Sequence, residues 1–189
     1  KSSDGGDSWS LQSNTPNIMA WDTDGSGSGG QSWYNLSLGV SRNDENLVYV
    51  GGVNIWRSNN GGVSWNIDAS SGNGSNYSYM HVDQHAFEFN PHTNVAYAGN
   101  DGGLYKYMDN INTWVDISDG LAISQFYNLG VSQSNPNRIV AGAQDNGTEM
   151  LTNNTWDAIM GGDGMECAFD PYNSNIIYAE FQYGGLRKS

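Results

Sequence analysis

The sequence predicts an all-β protein, and more closely a β-propeller built from four-stranded blades. Its 189 residues include 25 glycines and 12% aromatic residues but only 14% charged residues, a composition typical of turn-rich β proteins. A Gly-Gly-x-x-Trp segment recurs along the chain, and short β-branched or aromatic runs precede the later copies. A repeat of roughly 40 residues cannot bury both faces of its own sheet, so neighbouring repeats must stack.

The recurring segment predicts a tight hairpin turn. "KSSDGGDSW" (1–9) and "RSNNGGVSW" (57–65) align without gaps, "KYMDNINTW" (106–114) keeps the spacing, and a shortened copy ends at Trp156. The Asp or Asn before the glycines can bond the backbone ahead of it, the glycines supply positive φ, and the Trp packs over the hairpin. The residues to which we assign this structural role are Asp4, Trp9, Asn60, Trp65, Asp109, Trp114 and Trp156.

Each repeat is interpreted as strand, turn, strand, loop, strand, tight turn, strand, which is the order of a propeller blade. We expect full blades at residues 32–69, 81–120 and 124–160, the end of a blade at 1–20 and the start of one at 165–189. The last residues of the chain stop at the point of the blade pattern where the first residues would continue it. This is expected of a closed four-bladed ring, and also of a fragment of a larger ring. We expect the fragment, with the remaining blades supplied by a larger parent chain.

The turn "SSDGGDSW" resembles the Asp-box motif, also called the BNR repeat. Across almost the whole chain, segments such as "GQSWYNLSLGVS", "HVDQHAFEFNP", "GLAISQFYNLGVS" and "GGDGMECAFDP" resemble the sortilin-like Asp-box propellers of large secreted or cell-surface bacterial proteins. Such proteins are often exported by the type IX system and labelled glycosyl-hydrolase-like. The resemblance implies an extracellular location and a structural role for the turns, but no activity, because one fold hosts many functions.

Charge and hydropathy exclude several partners. The net charge is −13, from 20 acidic residues against seven Lys and Arg, so binding to nucleic acid is not expected. No apolar run approaches the ~20 residues that cross a bilayer, so we expect no membrane insertion. The chain opens with Lys1 and has no signal peptide, as expected of a mature or excised piece. The single cysteine, Cys167, lies in an apolar run and is predicted to be a small buried side chain.

Polar loops are predicted to gather at one face. In an antiparallel blade, the loop entering strand one and the loop leaving strand two share a face, and the recurring tight turns lie on the opposite face. Convergent polar groups mark the default binding site, although Asn/Asp-Gly pairs also serve simply as turns. The predicted ligand-binding residues are Trp33, His81, Asp83, His85, Asn100, Asp101, Gln144, Asp145, Asn146, Asp163, Glu166 and Tyr183.

The stretch "HVDQH" raises the question of whether it forms a metal site. On an extended strand His81, Asp83 and His85 would point the same way, as three metal ligands do. The same parity continues into Phe87 and Phe89, which should face the packing between blades. We therefore expect either a bulge near His85 or a His85 that turns into the core layer, with His81 and Asp83 as rim ligands or loop anchors.

Two long loops, 21–33 and 70–80, are rich in small polar residues and are either functional or mobile. Asp22 and Asp24 resemble the opening of a calcium loop, but Trp33 stands where an EF-hand places its bidentate Glu. We assign no cofactor, and calcium is the metal that the weak candidates Asp22, Asp24, His81, Asp83 and His85 could hold.

Three functions compete. A binding module would present the acidic face to a glycan or protein at the cell surface, with Trp33, Tyr34, Phe126, Tyr127 and Tyr183 stacking on sugar rings. Among the tryptophans outside the recurring turns, Trp21 and Trp56 are the other candidate platforms.

A glycoside hydrolase of the xyloglucanase type would instead use two carboxylates from Asp101, Asp145 and Asp163, and a structural spacer would use none. We expect the binding module and lean against an enzyme.

Overall fold

The structure is a computed structural model that describes residues 1–72, 74 and 76–189, so Asn73 and Ser75 of the long loop 70–80 lie outside the described residues. It is all-β, with 41% strand and 2% helix in four sheets of three to five strands. The predicted fold class is confirmed. The chain divides into two compact units, unit 1 (Lys1–Leu121) and unit 2 (Ala122–Ser189), which are described separately.

Unit 1 contains two meander sheets. The first consists of β1 (Ser37–Val40), β2 (Val48–Gly51), β3 (Ile55–Ser58), β4 (Asn66–Ser70) and β5 (Ser78–Tyr79), and the second of β6 (Gln84–Phe89), β7 (Ala96–Asn100), β8 (Gly103–Met108) and β9 (Thr113–Asp116). Neighbouring strands are antiparallel in sequence order, except that β5 pairs parallel to β4. This short fifth strand is not part of the predicted blade pattern.

An aromatic core fills the space between the two sheets of unit 1. Tyr49 and Phe87 stack with ring centroids 5.0 Å apart, and Trp114 meets both rings edge-on at 5.8 and 5.6 Å. Arg57 lies over the Tyr49 and Tyr107 rings, 5.6 Å from each centroid, and its Nη1 donates to the Tyr107 hydroxyl at 2.9 Å. The interior of this unit therefore depends on rings packed around one guanidinium.

Unit 2 has one complete and one partial meander. The complete sheet consists of β10 (Phe126–Val131), β11 (Arg138–Ala143), β12 (Gly147–Thr152) and β13 (Thr155–Met160), and the partial one of β14 (Cys167–Phe169), β15 (Ile177–Phe181) and β16 (Gly185–Lys188). Its core includes Val140, Cys167, Phe169 and Ile177. Cys167 is 6% exposed, as predicted, and burial raises the pKa of its thiol.

Two copies of the recurring turn have the same hydrogen-bond design. In the first, the Ser8 amide donates to Asp4 Oδ1 at 3.0 Å, and the Ser8 hydroxyl donates to Asp4 Oδ2 at 2.6 Å. In the second, the Ser64 amide donates to Asn60 Oδ1 at 2.9 Å, whereas Asn60 Nδ2 donates to the Ser64 hydroxyl at 2.8 Å. The exchange of Asp for Asn reverses one hydrogen bond and preserves the turn, which supports the structural role predicted for both residues.

The packing predicted for the four turn tryptophans holds only in part. Trp114 is buried and Trp65 is half-buried, but Trp156 is 45% exposed and Trp9 is 75% exposed. Trp9 does lie over its own turn, since its Nε1 donates to the Gly6 carbonyl at 3.0 Å, but its ring is not buried, because residues 1–36, all described, contain no strand that could place a sheet behind it. The blade end expected at residues 1–20 stays a prediction, as do the other blade boundaries.

Candidate functional site

A β-bulge at His85 sets the geometry where β6 begins. The register between β6 and β7 shifts between Gln84 and Ala86, so His85 is exposed while Phe87 and Phe89 remain buried. This confirms the expected bulge. Among the described residues, neither His81 nor His85 belongs to a group of three or more side chains that could share a metal ion, so the idea of three aligned ligands in this stretch is wrong.

The bulged His85 forms part of a compact polar and aromatic group. His85 Nε2 lies 2.7 Å from Asp101 Oδ1, and the Tyr34 hydroxyl donates to Asp101 Oδ2 at 2.9 Å. The Tyr34 and His85 rings meet edge-on at 4.9 Å, and Trp33 lies 5.9 Å from Tyr34 with 86% of its surface exposed. We call Trp33, Tyr34, His85 and Asp101 the aromatic platform.

Asp83 lies beside the platform and is buried. It is 7% exposed, has a φ of 67°, and its Oδ1 accepts hydrogen bonds from Gln31 Nε2 and Asn35 Nδ2. Carboxylate oxygens of Asp83 and Asp101 lie within 4.8 Å of each other. Burial, and then the nearby negative charge of Asp101, raise the pKa of Asp83.

His81 and Asn100 hold the backbone of this region. The carbonyl oxygen of His81 accepts hydrogen bonds from Gln84 Nε2 at 2.7 Å and from Asn100 Nδ2 at 3.2 Å, and Asn100 Oδ1 accepts from the Gly102 amide at 3.0 Å. A Cβ on Gly102 would lie 2.4 Å from the His81 ring, so only glycine allows this approach. The geometry gives both residues an anchoring role, while their role as ligands stays a prediction.

The loop 21–33 has no calcium-binding arrangement at Asp22 and Asp24. The Ser26 amide donates to Asp24 Oδ1 at 2.9 Å, which is an ordinary turn, and hydrogen bonds from Ser26 lower the pKa of Asp24. Neither residue belongs to a metal-capable group in the described part of the chain. Trp21 is 59% exposed, but Trp56 is 2% exposed in the core, so Trp56 is not the ligand platform that was predicted.

Unit 2 repeats the bulge with different chemistry. The register between β10 and β11 shifts between Phe126 and Asn128, and the Tyr127 hydroxyl donates to Gln144 Oε1 at 3.0 Å. Tyr127 and Gln144 thus occupy the places that His85 and Asp101 occupy in unit 1, as the bulged residue of a first strand and the residue after a second strand.

The other predicted residues of unit 2 form local hydrogen bonds or are exposed. Asp163 Oδ1 accepts from the Asp145 amide at 2.8 Å, and Glu166 Oε2 accepts from Asn128 Nδ2 at 2.6 Å. Asn146 Nδ2 donates to the Gln144 carbonyl at 2.9 Å. Tyr183 is fully exposed at a φ of 64°. Asp163 therefore stabilises a turn, and whether these residues bind a ligand stays a prediction.

Sequence reasoning missed Gln31 and Asn35, which surround Asp83. Both come from the segment "GQSWYNLS", directly before β1. Asn35 is 1% exposed, and its Oδ1 is buried without a hydrogen-bond partner. Two amides four residues apart, directly before a strand, were the available signal.

An apolar groove of about 760 Å³ lies elsewhere in unit 1. Trp9, Leu11, Leu38 and Val40 are among the side chains that line it. Trp9 thus faces this groove, which does not include the aromatic platform.

No protein-family model matches the chain, and no curated protein matches it. Among solved structures, it is similar to the GH74 enzyme of Niastella koreensis (20% identity, 76% of this chain and 24% of that chain, TM-score 0.35). It is also similar to the GH74 xyloglucanase of Xanthomonas campestris (15% identity, 80% of this chain and 28% of that chain, TM-score 0.33). A third similar structure is the extracellular domain of a protein described as a hybrid two-component system from B. thetaiotaomicron (11% identity, 82% of this chain and 23% of that chain, TM-score 0.38).

The chain spans about a quarter of the length of these structures. At this level of identity and overlap, the likeness says nothing about activity. The sortilin-like relationship and export by the type IX system stay predictions. Helices of the length and hydrophobicity that a membrane crossing requires are absent among the described residues.

Proposed function

We propose that this chain is an extracellular β-propeller module that binds a glycan through an acidic, aromatic-bearing face. The observation that supports the proposal most directly is the aromatic platform, where Trp33 is 86% exposed next to Tyr34, whose hydroxyl donates to the Asp101 carboxylate. A sugar ring offers an apolar C–H face to an aromatic side chain and hydroxyls to nearby polar groups, and the platform has partners for both.

The polar part of the platform is positioned before any ligand arrives. Asp101 contacts His85 through Oδ1 and Tyr34 through Oδ2, so its carboxylate is held in one orientation. Each carboxylate oxygen has two lone pairs and can accept a further hydrogen bond from a sugar hydroxyl. A fixed acceptor reduces the entropic cost of binding.

Charge favours a neutral glycan over an anionic one. The chain has seven Lys and Arg against 20 Asp and Glu. Arg57, Arg138 and Arg187 each lie over an aromatic ring within their own unit. An anionic sugar would approach a surface that repels it. We therefore propose neutral polysaccharides as the ligands. We also propose a secreted or cell-surface location, and further blades from a parent chain.

The test is affinity electrophoresis of the chain through gels that contain neutral polysaccharides, followed by calorimetry on the best ligand. Trp33→Ala should weaken binding about tenfold, or ~1.4 kcal/mol, because the stacking surface is lost. Asp101→Asn should weaken it by a factor of about two to five, because an amide oxygen still accepts hydrogen bonds.

The matched control is Trp21→Ala, since Trp21 is 59% exposed in the same unit but outside the platform. It should bind like the unmodified chain. Equal losses in Trp21→Ala and Trp33→Ala would refute the platform, and retardation by no polysaccharide would refute glycan binding in favour of a protein partner.

A glycoside hydrolase is the second candidate because Asp83 and Asp101 have carboxylate oxygens within 4.8 Å of each other, and such an enzyme needs two neighbouring carboxyl groups. The raised pKa of Asp83 would also suit a general acid. We favour binding because Asp83 is buried behind the Gln31 and Asn35 amides rather than open to a sugar. Release of reducing ends from a polysaccharide that stops in both Asp83→Asn and Asp101→Asn would establish the hydrolase instead.

A further inference from the structure

The bulge in β10 places two neighbouring aromatic side chains at the surface of unit 2. Successive side chains of a regular strand point to opposite faces of the sheet, so two neighbours are seldom presented together. Here the register shifts between Phe126 and Asn128, which makes Tyr127 the extra residue of the bulge. Phe126 is 45% exposed and Tyr127 is 51% exposed. The bulge thus gives unit 2 a pair of adjacent exposed rings.

Both rings are held in position. The Tyr127 hydroxyl donates to Gln144 Oε1 at 3.0 Å, and the backbone amide of Gln144 donates to the Gln125 carbonyl at 2.9 Å. The Phe126 ring stacks on the Trp156 ring, with centroids 6.4 Å apart and 22° between the two planes. Rings that are fixed before a ligand arrives lose little conformational entropy when it binds.

The polar partner of these rings is an amide, whereas that of the aromatic platform is a carboxylate. Gln144 follows the second strand of its sheet, at the place where unit 1 has Asp101. The residue before the bulge also differs, since Gln84 is 1% exposed in unit 1 and Phe126 is exposed in unit 2. An amide both donates and accepts hydrogen bonds, so it can pair with a sugar hydroxyl in either direction.

We infer that unit 2 contains a second glycan-binding site, formed by Phe126, Tyr127 and Gln144, which binds a neutral sugar independently of the aromatic platform. The inference rests on the proposed function, because it assigns the same class of ligand to unit 2. A sugar ring would stack its C–H face on the exposed rings, and its hydroxyls would pair with the amide. Because none of the three side chains is charged, this site requires no carboxylate.

The number of sites is measured on the full chain by equilibrium dialysis against tritium-labelled cellotetraose, laminaritetraose, maltotetraose and mannotetraose. We expect one of these neutral sugars to saturate at two molecules per chain, one in each unit. In the polysaccharide gels, the double variant Trp33→Ala, Tyr127→Ala should be retarded less than either single variant.

Single variants assign each bound sugar to its unit. Tyr127→Ala should weaken the unit 2 site about tenfold, because a stacking ring is lost, and should leave the platform unchanged. Gln144→Ala should weaken the same site by a factor of about two to five, and it provides the test if urea unfolding shows that Tyr127→Ala does not fold. Tyr172→Ala is the matched control, since Tyr172 is 92% exposed in unit 2 but outside the site, and it should bind like the unmodified chain.

The outcomes separate the two proposals. One bound sugar per chain that Trp33→Ala weakens, and that neither Tyr127→Ala nor Gln144→Ala affects, would overturn the inference and leave the proposed function in place. One bound sugar that Tyr127→Ala weakens and Trp33→Ala does not would support the inference and refute the platform. Equal losses in Tyr172→Ala and Tyr127→Ala would also overturn the inference. Binding to none of the sugars or polysaccharides would overturn both proposals.

Discussion

Asp68 offers a sharp test of how the core of unit 1 is held together. Its Oδ2 accepts a hydrogen bond from Trp114 Nε1 at 2.7 Å, and its Oδ1 lies 4.0 Å from Arg57 Nη1. Trp114 is 4% exposed, so its N–H has no access to water if Asp68 is shortened. Two substitutions separate the hydrogen bond from the charge: Asp68→Ala removes both, and Asp68→Asn removes only the charge.

The structure sets different magnitudes for the two variants. A buried donor left unpaired costs about 1–3 kcal/mol, and a partly exposed ion pair contributes up to about 1 kcal/mol. Arg57 keeps its hydrogen bond to Tyr107 at 2.9 Å, so it is not left without a partner. We expect Asp68→Ala to reduce the free energy of unfolding by about 1–3 kcal/mol, and Asp68→Asn to change it by no more than about 1 kcal/mol in either direction, because burial of the charge offsets its pairing with Arg57.

The pH dependence has a definite sign. Burial raises the pKa of Asp68 above its ordinary 3.8, outweighing the hydrogen bond from Trp114 and the charge of Arg57, which lower it. The folded chain then holds this proton more tightly than the unfolded chain does, so the contribution of Asp68 to stability falls as pH rises from 3.8 through the raised folded value. The unmodified chain should therefore lose stability relative to Asp68→Asn as pH increases through this window.

Urea unfolding, followed by tryptophan fluorescence at about pH 3.5 and pH 7, measures both effects. If Asp68→Ala and Asp68→Asn reduced the free energy of unfolding equally, the hydrogen bond from Trp114 would not be important for stability. We expect the unmodified chain to lose stability relative to Asp68→Asn between these two pH values. If the difference stayed constant or changed in the opposite direction, burial would not be the main influence on the pKa of Asp68.

Two further predictions concern unit 2. Cys167 is buried and its thiol pKa is raised by burial, so Ellman's reagent should react with the native chain far more slowly than with the chain in guanidinium, and immediate stoichiometric labelling would contradict this. A Cβ at Gly164 would lie 2.0 Å from the Gly147 carbonyl oxygen, so Gly164→Ala should destabilise unit 2 by about 1–3 kcal/mol in thermal unfolding. Gly161→Ala is its control, because nothing lies within 4 Å of that Cβ, and equal losses in the two variants would refute the steric argument.

Periodicity along the chain was enough to predict the all-β fold, because a repeat aligns its own turns and apolar runs. The bulge near His85 was predictable for a similar reason. Phe87 and Phe89 had to face the core, and a strict alternation would have placed His85 there as well. The alternation of inward and outward side chains along the strand thus located the β-bulge, which no single residue indicates.

The partners of Asp83 could not be predicted in the same way. Gln31 and Asn35 contact it from 52 and 48 residues away in the sequence, across a loop and most of a sheet. Periodicity aligns the strands and turns of successive repeats, so it gave no information about which loop amides meet a carboxylate of the next repeat. The turn of Trp9 matches residues 57–65 locally, but burial of its ring depends on a sheet that residues 1–36 do not form, so the local match could not predict its exposure.

The two β-bulges explain how similar sheets come to present different chemistry. The bulge in β6 directs His85 to Asp101 at 2.7 Å, and the bulge in β10 directs Tyr127 to Gln144 at 3.0 Å. A bulge is a property of the backbone, so the pair of side chains can change from ionisable to neutral while the ladder of strands is kept. The chemistry of each sheet at this point is therefore decided by two positions, the bulged residue of its first strand and the residue that follows its second strand.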